Sequence, residues 1–109
     1  MSDRKSSSEV LSLKKEASVS TDRSRLYMKR LCKHFQRKVE AQWYDNFGKV
    51  TFEEGVCFLA AHEHALEMRC EAQTSNELLE VIDTMERHLI RFMRKDSLVI
   101  EWKKINDPL

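Results

Sequence analysis

Glycine and proline are nearly missing: the chain of 109 residues holds 2 glycines, Gly48 and Gly55, and 1 proline, Pro108. A phosphate-cradling loop needs clustered glycines whose amides close on an anion, so two separated turn glycines exclude a P-loop and a dinucleotide fold. Long apolar runs are missing too. The longest, around Val56–Ala61, falls far short of the ~20 residues that span a bilayer. The stretch Met1–Glu9 lacks the apolar segment of a signal peptide, so a cytoplasmic location without membrane contact is expected. Cysteine is sparse and odd in number: Cys32, Cys57 and Cys70 form no CxxC pair, against a disulfide framework or a zinc knuckle. Reduced, buried thiols are expected. An excess of charge is also absent, because a formal net charge of +1 exerts no global pull on nucleic acid.

What is present fits one domain, since 41% hydrophobic and 34% charged residues over this length supply a single core and no second. Residues 1–12, rich in serine and charge, cannot offset the entropy of ordering and are expected to form a disordered tail ahead of a domain at 13–109.

Periodicity then orders the chain. Leu13 to Val19 alternates weakly and predicts an edge strand. From Ser20 or Thr21, either able to cap, Tyr27, Met28, Leu31, Cys32 and Phe35 recur at helical spacing. Val39, Ala41 and Trp43 return to a period of two, and "DNFG" supplies a turn. A hairpin follows, with a strand at Lys49–Glu53 and a two-sided apolar strand at Val56–Ala61. "HEH" reverses the chain into Leu66–Glu71. Capped at Thr74 or Ser75, a second helix carries the stripe Leu78, Ile82, Met85, Leu89 and Phe92. Leu98, Ile100 and Trp102 alternate in a closing strand.

The expected fold class is therefore α+β, an antiparallel β-sheet with two helices packed on one face, in the order β-α-β-β-β-β-α-β. Tyr44, Val56, Phe58 and Val99 fall on the opposite face, where exposed apolar surface predicts a homodimer through the sheet or a ligand groove.

The segments "RLYMKRLCKHFQRKV" and "HLIRFMRKDSLVIEW" resemble those of the bacterial family called domain of unknown function 2218. Leu31, Cys32, His34, Phe35 and Lys38 pair there with His88, Leu89, Arg91, Phe92 and Trp102, and the resemblance covers about residues 13–104. It implies a small α+β domain without an established biochemical role. It also implies an association with iron or redox metabolism, because such domains occur appended to siderophore-interacting flavoprotein reductases in some bacteria. This chain departs from the pattern at Arg37, often histidine in the family, and at Met93 and Arg94, often apolar or aromatic.

"RLCKHFQRK", Arg30 to Lys38, concentrates the candidate chemistry. Residues two apart on a helix do not face each other, so Cys32 and His34 form no thiolate–imidazole pair. Cys32 instead lies on the apolar stripe, where a thiol is inert. His34 and His88 both lie late in their helices, flanked by Arg30, Lys33, Arg37 and Lys38 in one case and by Arg87, Arg91, Arg94 and Lys95 in the other. One reading is structural: each imidazole bonds a late helix carbonyl while the cations offset the helix dipole. The sharper one is a joint anion pocket of His34, Arg37, Lys38, His88 and Arg91, which would take a phosphate, a carboxylate or the propionates of a tetrapyrrole. Neither His62 with His64 nor His34 with His88 has a third ligand at a metal spacing. Arg23, Arg25, Lys29, Arg30, Lys33, Arg37 and Lys38 make a basic first helix, but they spread around its solvent arc without a stacking motif, against nucleic acid. The function expected from sequence is a non-catalytic ligand-binding or accessory module with no cofactor identifiable. The alternative is a homodimeric interaction module without a small ligand.

Overall fold

The computed structural model describes residues 13–93 and 100–105. The expected tail at 1–12, together with Leu98 and Val99 of the expected closing strand, lies outside the described residues. Strands β1 (Leu13–Ser20), β2 (Glu40–Tyr44), β3 (Phe47–Thr51), β4 (Gly55–His62), β5 (Ala65–Ala72) and β6 (Lys103–Lys104) alternate with helices α1 (Ser24–Phe35) and α2 (Ser75–Phe92) in the expected order. They form one sheet, ordered β2-β3-β4-β5-β1-β6, and every paired neighbour is antiparallel.

Alternation decides which side of this sheet is covered. Val50, Cys57, Leu59, Leu66, Met68 and Cys70 point to the helices and are fully buried, with Met28, Leu31 and Cys32 of α1 and Met85 and Leu89 of α2 closing over them. A fully buried aliphatic side chain of this size contributes about 1.5–3 kcal/mol of transfer free energy, so this seam holds the fold.

Both glycines are placed by close approach. A Cβ at Gly55 would lie 2.2 Å from the Glu71 carbonyl oxygen, and one at Gly48 would lie 3.1 Å from the Cys32 Sγ. The first collides with backbone, while the second meets the side chain that α1 presses onto β3.

Three boundaries differ from the sequence expectation. α1 begins at Ser24, with Arg23 at the cap position and no side-chain cap, because Ser20 is still in β1 and Thr21 Oγ1 accepts from the Arg23 amide instead, at 3.0 Å. Ser24, a buried polar residue, donates its hydroxyl proton to the His62 carbonyl across the fold. β3 begins at Phe47 rather than Lys49, since Asp45 takes φ 57° and the turn needs only Asp45 and Asn46 between paired Tyr44 and Phe47. Among the described residues, strand pairing after α2 is confined to Lys103 and Lys104, opposite Glu16 and Lys15. Trp102 lies just before it, its indole N–H donating to Glu86 Oε2 at 2.8 Å, so a tie to α2 replaces a ladder there. α2 starts as expected, Thr74 Oγ1 accepting from the Glu77 amide at 3.1 Å.

Candidate functional site

The two helices converge at their C-terminal ends, and that convergence joins the histidines. His34, in the last turn of α1, and His88, in the penultimate turn of α2, stand with ring centroids 4.8 Å apart and planes tilted by 46°. Phe35 lies against His88 at 4.8 Å and edge-on to Phe52 at 5.2 Å, while Phe92 meets His34 at 5.8 Å. Aromatic stripes at helical spacing thus become one wall, because Phe35 and Phe92 occupy the core-facing margin of each helix.

Beyond Phe35 the chain turns sharply, the amides of Lys38 and Val39 both donating to the Phe35 carbonyl at 2.9 Å. This turn sets the exposed Arg37 and Lys38 on a surface groove of about 460 Å³, lined also by His34, Phe35, Val39, Phe52, Thr84 and His88. No carboxylate among the described residues lines it. Among the described residues, Arg37, Lys38 and Arg91 make no ion pair with any acid.

Electrostatics follow from this one-signed setting. Burial first, then the charges of His88, Arg37, Arg91 and Lys38, push the His34 imidazolium below its ordinary range. His88 Nδ1 lies 2.7 Å from the Thr84 carbonyl, one helical turn earlier. A carbonyl only accepts, so Nδ1 carries the proton and Nε2 is left for another partner. Such a carbonyl bond is what the structural reading of the helix ends requires, and the groove makes it compatible with the pocket reading.

The structure brings His34, Arg37, Lys38 and His88 to one groove and sets Arg91 close enough to act on His34. Arg94 and Lys95 lie outside the described residues. Phe52 and Thr84 were not singled out from sequence as part of the site. Phe52 shares the face of Val50 in the period-two pattern, and Thr84 precedes His88 by four residues, but neither signal says that a groove lies there.

Tyr44, Val56 and Phe58 lie on the helix-free face, and Val99 lies outside the described residues. Val56 and Phe58 are half-buried in β4, whereas Tyr44 is 84% exposed beside Phe47, itself 53% exposed. Cations flank the Phe58 ring from both neighbouring strands, Lys49 at 5.6 Å and Arg69 at 5.4 Å. Phe47, placed in a turn from sequence, is thus a strand residue of this face.

His62 and His64 each have an acidic partner, Glu67 at 3.2 Å and Asp22 at 2.8 Å. No group of three His, Cys, Asp or Glu side chains suited to a metal occurs among the described residues. The three thiols are free and buried. Burial pushes Cys32 up to about 11, partly offset by the Lys49 amide, and raises Cys57, which faces Cys70 across β4 and β5. At the α1 cap and along α1, Arg23, Arg25, Lys29, Arg30 and Lys33 are exposed, with Arg25 alone of these paired among the described residues, to Asp45 at 3.7 Å. No helix of the described residues is long and apolar enough to cross a membrane.

Residues 16–103, which include both helices and thus both walls of the groove, match the model of a family described as an uncharacterized protein conserved in bacteria, domain of unknown function 2218. The chain belongs to this family. A further member of the same fold is found among solved structures: the NMR structure of PA4090 from Pseudomonas aeruginosa is 27% identical, covers 84% of this chain and 95% of its own, and superposes with a TM-score of 0.73. No curated protein matches the chain. The domain of unknown function 2218 therefore has the α+β architecture expected from its periodicity, with six antiparallel strands and two helices on one face.

Proposed function

We propose that this domain is a non-catalytic module that binds a small anionic ligand at the helix-end groove. The observation that carries the reading is the contact of His34 with His88, 4.8 Å between centroids, in a groove lined also by Arg37 and Lys38 and, among the described residues, by no carboxylate. Cations gathered without acids repel one another, and a bound anion relieves that repulsion while gaining charge-assisted hydrogen bonds. His34 and His88 supply imidazoles that become better donors once an anion favours their charged form. An accessory role beside an iron or redox enzyme is the setting that the family resemblance suggests.

Titration of the full chain, labelled with ¹⁵N, by acetate and by inorganic phosphate at about pH 6 tests it. Saturable shifts confined to His34, Arg37, Lys38, His88 and Arg91 are expected, weakened in His34→Ala and His88→Ala. Absence of saturable shifts with either anion, or unchanged affinity in both variants, would defeat the reading.

A second reading has its own observation. Tyr44 and Phe47, exposed and paired across β2 and β3, are surface that a second copy would cover through the helix-free face. Sedimentation showing only monomer at micromolar concentration would remove it.

A further inference from the structure

The groove is built for more than charge. Its lining combines the rings of His34, Phe35, Phe52 and His88 and the side chain of Val39 with two exposed cations, Arg37 and Lys38. Phe35 meets Phe52 edge-on, at 89°, and His88 at a tilt of 57°, the first of these being an arrangement that suits the rings' quadrupoles. An inorganic anion would use the cations and leave the aromatic wall in water. The volume, about 460 Å³, is within the range of roughly 300–1,000 Å³ common to pockets for ring-sized organic ligands.

We propose that the ligand class is a planar aromatic carboxylic acid, its ring lying on the wall formed by His34, Phe35, Phe52 and His88 and its carboxylate meeting Arg37 and Lys38. This rests on the anion-binding reading above and narrows it. The two parts of the ligand have separate recognition. Guanidinium and ammonium groups hold the carboxylate, Arg37 being able to engage both of its oxygens. The ring takes the place of water against apolar surface and against imidazole faces. His88 Nε2, which has no hydrogen-bond partner among the described residues while Nδ1 is bonded to the Thr84 carbonyl, is a polar group of the groove lining that a ring substituent would reach.

The test uses the full chain and four probes followed by the amide and side-chain resonances of the groove: 1-naphthoate, cyclohexanecarboxylate, acetate and the neutral 1-naphthalenemethanol. Expected are a dissociation constant for 1-naphthoate at least about tenfold below those of the other two carboxylates, and no saturation with the alcohol. Phe52→Leu keeps an apolar group at the site. It should weaken 1-naphthoate several-fold and leave acetate unchanged, whereas Arg37→Gln should weaken both.

Equal affinity for acetate and 1-naphthoate would overturn the ring inference while leaving anion binding standing. Cyclohexanecarboxylate as tight as 1-naphthoate would overturn planarity, and binding of the neutral alcohol as tight as the acid would overturn the role of the cations. If no carboxylate saturates the groove the inference falls, and the function on which it rests falls with it only when inorganic phosphate also fails to saturate.

Discussion

The imidazole of His34 and that of His88 form a contact pair, 4.8 Å from centroid to centroid, built from two helices whose cationic ends meet over Phe35. Two groups that gain positive charge at the same place oppose each other, and the neighbouring arginines and lysine add to that opposition. The pair is therefore held together by the apolar packing beneath it, and its charge state is open to whatever binds above.

The first consequence is a dependence on pH. His34 has its folded pKa lowered by burial and by His88, Arg37, Arg91 and Lys38, in that order. As pH falls below the unfolded value of about 6.5, the unfolded chain takes up this proton before the folded one does, so this group's effect is to reduce stability on acidification through that window. Above it the effect vanishes. NMR titration of the His34 Cε1 proton should give a midpoint below that of a free histidine, and His88→Ala should move it upward. An unchanged midpoint in the variant would remove His88 as a cause.

Capping gives a second test, on α2. Thr74 accepts from the Glu77 amide at 3.1 Å and holds extended backbone angles, φ −127° and ψ 161°. Thr74→Ala should cost about 0.5–2 kcal/mol, whereas Ser75→Ala, at an exposed first-turn position, should stay within about 0.5 kcal/mol of the parent. Urea unfolding of the two variants side by side measures both, and equal losses would contradict Thr74 as the cap.

Gly55 offers a third. With the Glu71 carbonyl 2.2 Å from where a Cβ would stand, Gly55→Ala must displace backbone between β4 and β5. A loss of roughly 1–3 kcal/mol is expected, the range for overpacking. Gly48→Ala presses only on the Cys32, Met28 and Leu59 side chains, the nearest at 3.1 Å, and should cost less. Thermal unfolding that ranked Gly48→Ala as the worse variant would refute this order.

The thiols give a fourth. Cys32 is fully buried and pushed up to about 11, and burial opposite Cys70 raises Cys57 as well. At about pH 8 almost no thiolate is therefore present at Cys32 or Cys57 in the folded state. An aromatic disulfide reagent should modify all three only as fast as the chain unfolds, and at full speed in denaturant. Rapid labelling of Cys32 under native conditions would contradict its place beneath Gly48.

Much of this arrangement is written in local pattern. Met28, Leu31, Cys32 and Phe35 recur every three or four residues, and so do Leu78, Ile82, Met85 and Leu89, so one stripe of each helix had to be buried. Leu66, Met68 and Cys70 alternate with Glu67, Arg69 and Glu71, so β5 had to have one wet face. Scarce glycine excluded phosphate loops outright. These features depend on neighbours within a turn or a pleat, which the chain order itself specifies.

Other features depend on partners far away in the chain. The start of α1 depends on the His62 carbonyl that buries the Ser24 hydroxyl, a bond no cap rule contains. β1 pairs with β5 although a helix and three strands intervene, because the covered face closes only when both sides of the core are sheet. The meeting of His34 with His88, and the inclusion of Phe52 and Thr84 in their groove, follow from how two helices lie on one sheet. Periodicity reports which side of an element is apolar and carries no information on the angle at which two such sides meet. The sequence determined which residues could form a cationic, histidine-bearing helix end, and helix packing alone decided that two such ends would share one site.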